Sequence, residues 1–525
     1  MLRLSSFSSR RSRRCVAVLG AAALTAVSLT TAAVGQETSA VSRAAGPLAG
    51  SAALSQRESV RVPGNVRFYQ ERTSLLGRHR WYQQLANGHV VVGGWYAVHL
   101  WNDGTTTVWD GRKNVRGLAK TPATISADAA AKHVDKVDAA ATLQTDTDGL
   151  MVLPSDDGRP AQLVWRVVGV DGSGVTASYV DATTGVTLET EQLAKNLVDP
   201  QGLGRLDRRA PAHALVTGRA RVFDPNPVVA LQREGLRDRR DANTAVPRTA
   251  YRIVDLPRLR HRHTLVGRFV RIVNPDRATS AVDRYFFLRH NDRFEQVNAY
   301  YAVDAEQAYL HRLGFTDVNA DAQDVATDAF PDDNSFYNPA DDLISLGTGG
   351  VDDAEDPEVI WHEYGHAIQD DQVPDFGRSF QAAAMGEGFG DYMAVVTSQL
   401  APHPNDTSRT PAACVMDWDS TSYTTDTPHC LRRTDTDLHY PEDLHRVDPH
   451  FDGQIWSGAL WDLAQALGQD KATMLVVEAQ FAMNPAIAMP AAARAVVATT
   501  TALSPGDAAT TRQVFVDRGI LPSTS

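Results

Sequence analysis

At 525 residues the chain exceeds what one domain usually holds, and its 43% hydrophobic and 22% charged content is that of a folded protein with apolar material for at least two cores. Acidic residues outnumber basic ones, 63 to 51, giving a formal charge of -12. That balance excludes a general nucleic-acid binder, which needs a basic face.

Arg10, Arg11, Arg13 and Arg14 form a basic start, Val16 to Ala33 an apolar run, and Ala33 and Gly35 bracket a cleavage point before Gln36. This pattern predicts an export signal over residues 1–35. The run is short and broken by Thr and Ser, so it reads as a signal and not as an anchor. No later stretch is long and apolar enough to span a bilayer, so a secreted chain without a membrane anchor is expected. The paired arginines also suit twin-arginine export. Cys15 leaves with the signal, and Cys414 and Cys430 are expected to pair in an exported chain.

Residues 36–60, rich in Ser, Ala and Gly, read as a lead-in without periodicity. Residues 65–190 alternate as strands do, with Asn87-Gly88, Asp103-Gly104, Asp171-Gly172 and Thr184-Gly185 as turns. An Ala-rich helical stretch at 123–143 interrupts them. This half reads as α+β with antiparallel hairpins. Residues 191–250 are basic, Pro-containing and polar, and Arg237-Asp238-Arg239-Arg240 is a solvated run or an exposed linker. Residues 265–290 look β-like and 304–313 helical. After residue 355 the pattern turns mainly helical, with apolar spacing at 453–467, 471–483 and 491–501.

The chemistry concentrates at His362-Glu363-Tyr364-Gly365-His366. Two histidines four residues apart on a helix lie about 40° apart around its axis, so both rings leave one face. That spacing suits one tetrahedral zinc. Asp356 can cap the helix, Pro357 fits its first turn, and Val359, Ile360, Ala367 and Ile368 supply an apolar side. Glu363 points slightly off the ligand face and is placed to act as general base on water. In Gly386-Glu387-Gly388-Phe389-Gly390-Asp391, one helix onward, Glu387 supplies a third ligand. Asp391, one turn later, can accept the second imidazole N–H of His362. His450 sits just before a helix. It can donate to a tetrahedral oxyanion or simply be a surface histidine.

At these residues the chain resembles the fungalysin group of metallopeptidases and, more distantly, thermolysin. HEYGH at 362–366 followed by GEGFGDY at 386–392 carries the likeness. Val222 to Pro227, Phe294 to Tyr301 and Asp333 to Tyr337 extend it. Tyr82 to Trp101 and Asp181 to Gly185 resemble that family's propeptide modules. The resemblance implies an α+β protein: a signal at 1–35, an antiparallel inhibitory propeptide at 36–205, and a two-lobed thermolysin-like zinc peptidase at 206–525 with a mainly helical C-terminal lobe. It implies a secreted, self-processing zymogen that cuts internal bonds of proteins or peptides and is inhibited by its own propeptide. It also places Asn334 and Ser335 on a strand that binds substrate backbone, and His450 at the oxyanion, in an H-x-x-G-x-x-W setting.

This sequence departs from the pattern in places. Arg378 lies near the offset where thermolysin has an assisting tyrosine, and Phe389-Gly390 replaces a Trp-Ser common in fungalysins. Asp341, Asp342, Asp352 and Asp353 are candidate Ca2+ ligands or an acid-rich solvated surface. Two other functions share the ligand set. One is an aminopeptidase, which usually carries a Gly-x-Met-Glu-Asn-like strand not found here. The other is a secreted binding protein with a dead site, which has no need of Glu363.

Overall fold

The computed structural model describes residues 52–54, 60–134, 149–155, 158–171, 174–194, 215–401 and 411–523, all within one compact unit, Arg43–Ser525. The expected signal, most of the lead-in and the boundary at 205/206 lie outside these residues.

The amino-terminal part is a nine-stranded sheet. Its path runs Ala52–Leu54, Thr106–Gly111, His89–Trp101, Leu150–Leu153, Gln162–Asp171, Gly174–Asp181, Thr187–Ala194. Gly77–Ala86 also pairs with His89–Trp101, and Val66–Thr73 pairs with Gly77–Ala86. Alternation sets the faces: in Gly77–Ala86, His79 and Trp81 point inward while Arg78 and Arg80 point outward. Asn87 and Gly88 both take positive φ, +50° and +88°, as a two-residue hairpin turn requires. One pairing departs from the expected hairpins. Val90 and Val91 pair in parallel with Met151 and Val152. A parallel neighbour needs a crossover, and the chain between residues 111 and 150 supplies it. That crossover includes α1 (Ala127–Lys132), capped by Ser126. It is shorter than the helical stretch read from composition, whose later residues lie outside those described.

The rest of the unit is a mixed α+β assembly. Tyr251–Leu259, Val216–Phe223 and Arg284–Tyr285 form one sheet, in that order. Val270–Ile272, Gln323–Ala326, Leu343–Leu346 and Ser335–Asn338 form another, with Ser335–Asn338 at its edge. The helices are α2 (Pro227–Leu231), α3 (Arg293–Arg312), α4 (Pro357–Gln372), α5 (Phe380–Ser398), α6 (Pro449–Leu467), α7 (Gln469–Gln480), α8 (Met489–Leu503) and α9 (Ala508–Asp517). One large apolar core joins α3 to α9 and reaches Trp81 and Trp95 of the amino-terminal sheet. The expected Cys414–Cys430 disulfide is formed. Among the described residues no helix is long and apolar enough to cross a membrane.

The amino-terminal sheet docks on the ends of α4 and α7. Trp81 Nε1 donates to Gln372 O at 3.1 Å, and Gln70 Nε2 to Asp371 O at 2.7 Å. Arg72 pairs with Asp371 at 2.7 Å. The Glu478 carboxylate accepts the backbone N–H groups of Leu75 and Leu76 at 2.9 and 3.0 Å. Within this interface His79 Nδ1 lies 2.9 Å from His99 Nδ1, and the His79 ring stacks on Phe481.

Burial holds both imidazoles neutral. His99 is lowered from 6.5 to about 4 by desolvation, and His79 is lowered well below 6.5 by desolvation and then by its neighbour His99. The unfolded chain takes up these protons first. The stability they protect is therefore whole above pH 6.5 and falls as pH drops through 6.5. Each histidine contributes a slope of about 1.4 kcal/mol per pH unit. Unfolding a His99→Gln chain from neutral pH to pH 5 should show a shallower loss than the parent. Equal slopes would exclude the pair as the source.

Candidate metal centre

α4 begins as its local residues dictate. Asp356 accepts from Glu358 N at 3.0 Å as N-cap, Pro357 fills the first turn, and Val359, Ile360, Ala367 and Ile368 are buried. Four-residue spacing then turns His362 and His366 to one face, with ring centroids 4.9 Å apart. α5 passes that face at glycines. A Cβ on Gly390 would sit 2.7 Å from His362 Nδ1, and one on Gly388 would sit 2.3 Å from Gly453 O of α6. Glycine here is a matter of space: it lets three helices approach close enough for their side chains to meet.

Gly390→Ala should therefore push the His362 ring off its position. Overpacking of this kind costs about 1–3 kcal/mol. Metal content and unfolding midpoint should both fall. Unchanged metal content would show that the ring has room to give.

His362 Nε2 lies 3.2 Å from His366 Nε2 and 3.3 Å from Glu387 Oε2, and His366 Nε2 lies 3.7 Å from Glu387 Oε1. The three donors fall within one ion's reach. Bonds of about 2.0–2.2 Å to a tetrahedral zinc would place such donors about 3.3–3.5 Å apart. The triangle fits that ion, and three protein donors beside a cleft leave a fourth position of a tetrahedron open.

Around the triangle, Asp391 Oδ1 lies 3.0 Å from His362 Nδ1. The Asp391 carboxylate also takes both prongs of Arg432, at 2.8 and 2.7 Å. Burial works to raise Asp391, but Arg432 and His362 prevail and hold it at about 2. Burial works to lower His362, but Asp391 and Glu387 outweigh it and raise the ring to about 10 in the metal-free chain. A cation at Nε2 must therefore displace a proton. Glu363 is pushed up to about 7, first by burial, with His362 opposing and Glu387 adding to it. A dication beside it would favour its charged form.

His450 Nε2 lies 3.1 Å from Glu387 Oε2, and its Nδ1 lies 3.1 Å from Asp448 Oδ1. Asp448 is the N-cap of α6, so His450 sits in the first turn of that helix and not before it. An open cleft of about 510 Å3 fronts the triangle, lined by Glu363, His366, Glu387, Tyr337, Phe376 and Leu193.

Sequence-derived candidates thus fall into two sets. His362, Glu363, His366, Glu387, Asp391 and His450 converge. Asn334 and Ser335 do not line the cleft; Tyr337 and Pro339 of the same segment do. Ser335 Oγ instead donates to Asp353, and Ser335 N donates to Asn334 Oδ1 at 3.1 Å. The four aspartates considered for Ca2+ do not come together. Asp352 groups with Glu295 and Asp328, Asp353 with Asp333 and Asp419, while Asp341 and Asp342 bind Asn338 and Tyr337. Adjacent residues entering the turn at Asp353–Glu355 face different neighbours, which spacing alone does not reveal. Arg378 pairs with Glu191 at 2.9 Å and Asp375 at 2.6 Å. Arg432 was not singled out from the sequence. The one available signal was the need of a buried Asp391 for a counter-charge.

Residues 348–501 match the family model of the fungalysin metallopeptidases (M36), a stretch that contains α4, α5 and most of the site. Over that segment the chain is similar to the fungalysin metallopeptidases. Comparison with curated proteins finds no match. Among solved structures, the Bacillus megaterium YpeB C-terminal domain overlaps 26% of this chain and 58% of its own at 10% identity. Its TM-score of 0.18 is too low to bear on the fold. Arg432, outside the helices that carry HEYGH and GEGFGDY, lies within the fungalysin-like segment.

Proposed function

We propose that this fungalysin-like chain is a secreted, zinc-dependent endopeptidase made as a self-processing zymogen. The observation that carries the reading is the triangle of His362 Nε2, His366 Nε2 and Glu387, with the buried Glu363 next to it in sequence and facing the same cleft. Bound there, zinc would polarise a peptide carbonyl and acidify a water molecule. Glu363 takes the proton of the attacking water and returns it to the leaving amine. Its upward-shifted carboxyl suits a group that must hold a proton for part of the cycle. Asp391 keeps His362 in one tautomer and orientation, and Arg432 keeps Asp391 ionised. His450, held from behind by Asp448, presents Nε2 to the same region and donates to the oxyanion.

The same reading assigns residues 1–35 to the signal, 36–205 to an inhibitory propeptide and 206–525 to a two-lobed, thermolysin-like catalytic domain. Support for inhibition comes from the strand Thr187–Ala194. Its Leu193 lines the cleft and its Glu191 holds Arg378 at the rim. Until that strand leaves, a substrate would have to share the cleft with it. Protein and peptide substrates follow from an open cleft beside Ser335–Asn338, an edge strand among the described residues, which packs near Thr187–Ala194 and could pair with an extended chain once that strand leaves.

Peptides with blocked and with free amino termini separate the endopeptidase from an aminopeptidase. The processed enzyme should cut both internally at similar rates. Cleavage confined to free amino termini would contradict the proposal.

A further inference from the structure

Beyond the His362, His366 and Glu387 donors, three carboxylate clusters among the described residues bring their oxygens within reach of one ion. Asp238, Asp241 and Glu355 already share a cation, since the buried Arg289 guanidinium meets all three. Glu295, in the cluster with Asp328 and Asp352, is in hydrogen-bond contact with Asp328, which lets the two share a proton.

At Asp333, Asp353 and Asp419 the carboxylates lack a directly bonded cation, and Arg432 acts on Asp419 only through space. Asp353 and Asp419 are each 2% exposed. No lysine, arginine or histidine among the described residues forms an ion pair with any of the three. Asp353 uses one oxygen on Ser335 Oγ, and its Oδ1 is buried without a partner. Asp419 Oδ1 is likewise buried without a partner. Asp333 accepts from Tyr423 Oη at 2.9 Å and, less buried, forms the outer wall. Gly350, at φ +68°, backs the Asp333 carboxylate, which lies 2.4 Å from where a Cβ would be.

Stranded carboxylate oxygens are costly in a dry site, and several carboxylates held together need a cation. A donor set of oxygen alone, carboxylates without nitrogen or sulfur, selects a hard divalent ion over zinc. We infer that Asp333, Asp353 and Asp419 form a calcium site separate from the zinc centre. The ion ties three segments together: the approach to the edge strand Ser335–Asn338, the turn Asp353–Glu355 that leads into α4, and the turn Asp419–Ser422. That last turn is already fastened to the zinc helix, because the Asp356 cap accepts from Trp418 N and Asp419 N at 3.0 Å each. Calcium therefore fixes the cleft-lining strand relative to the helix that carries His362 and Glu363. The inference concerns binding alone and stands apart from the proposed zinc chemistry.

Terbium luminescence tests it directly, since Tyr423 and Trp418 can sensitise an ion in this position. Full-length Glu363→Gln chain, depleted of calcium and with zinc content measured separately, is titrated with Tb3+. Saturable emission that Ca2+ displaces is expected. Asp419→Asn should weaken Tb3+ binding at least tenfold, and Glu295→Gln should leave it unchanged. Should Asp419→Asn fail to fold, Asp333→Asn on the less buried wall carries the same expectation. Absent emission, emission unaffected by the folded aspartate variants, or emission lost with Glu295→Gln would overturn the assignment, whatever the zinc content.

Discussion

Glu363→Gln is expected to keep zinc and lose proteolysis by about 10^2–10^4-fold, the contribution of a positioned acid–base group. Glutamine matches the carboxylate in shape, so the 6%-exposed position next to His362 stays filled and α4 stays capped by Asp356. It cannot accept the proton of an attacking water, nor deliver one to the leaving amine. His362, His366 and Glu387 are untouched, so metal content should remain at the parent level. If self-cleavage uses the same carboxylate, as proposed, the variant should also persist as the unprocessed precursor. Casein cleavage at the parent rate would refute Glu363 as the base.

The second large effect is expected at Arg432. Its guanidinium makes two parallel bonds to Asp391, which is wholly buried and also holds His362 Nδ1. Arg432→Leu would leave a buried carboxylate facing only an imidazole. Removing one partner of a buried pair costs about 3–5 kcal/mol. Loss of a group that supports a ligand weakens zinc about 10–100-fold. Urea unfolding and competition with a chelator measure the two losses. Adding Asp391→Asn removes the stranded charge, so the double variant should recover part of the stability and none of the zinc affinity. An Arg432→Leu chain as stable and as zinc-retentive as the parent would show that Asp391 needs no counter-charge.

The helix α4 was legible because everything that forms it is local. Asp356 and Pro357 start it, an apolar side buries it, and the four-residue spacing aims both histidines. Glu387 and Asp391 were legible for the same reason, one helix later. Partners from distant parts of the chain left no such trace. Arg432 reaches Asp391 across 41 positions, from a two-residue strand that pairs with Cys414–Val415.

α3 shows the same limit in the fold. It runs from Arg293 to Arg312, yet the sequence pattern pointed to a helix only over 304–313. Buried polar residues mask the apolar period. Asn298 Oδ1 accepts from Phe223 N and its Nδ2 donates to Ala354 O, while Gln307 joins Val318 O to the Tyr364 hydroxyl. Such positions look like surface until their partners are known. The parallel pairing of Val90–Val91 with Met151–Val152 was hidden likewise, since strand alternation is the same in either direction.

Anomalous diffraction from zinc-loaded Glu363→Gln crystals, recorded on both sides of the zinc absorption edge, decides whether the three donors share one ion. One strong peak should lie about 2.0–2.2 Å from His362 Nε2, His366 Nε2 and a Glu387 oxygen together. Density for zinc elsewhere, with those three donors left more than bonding distance from any metal, would rule out a shared zinc at α4 and α5.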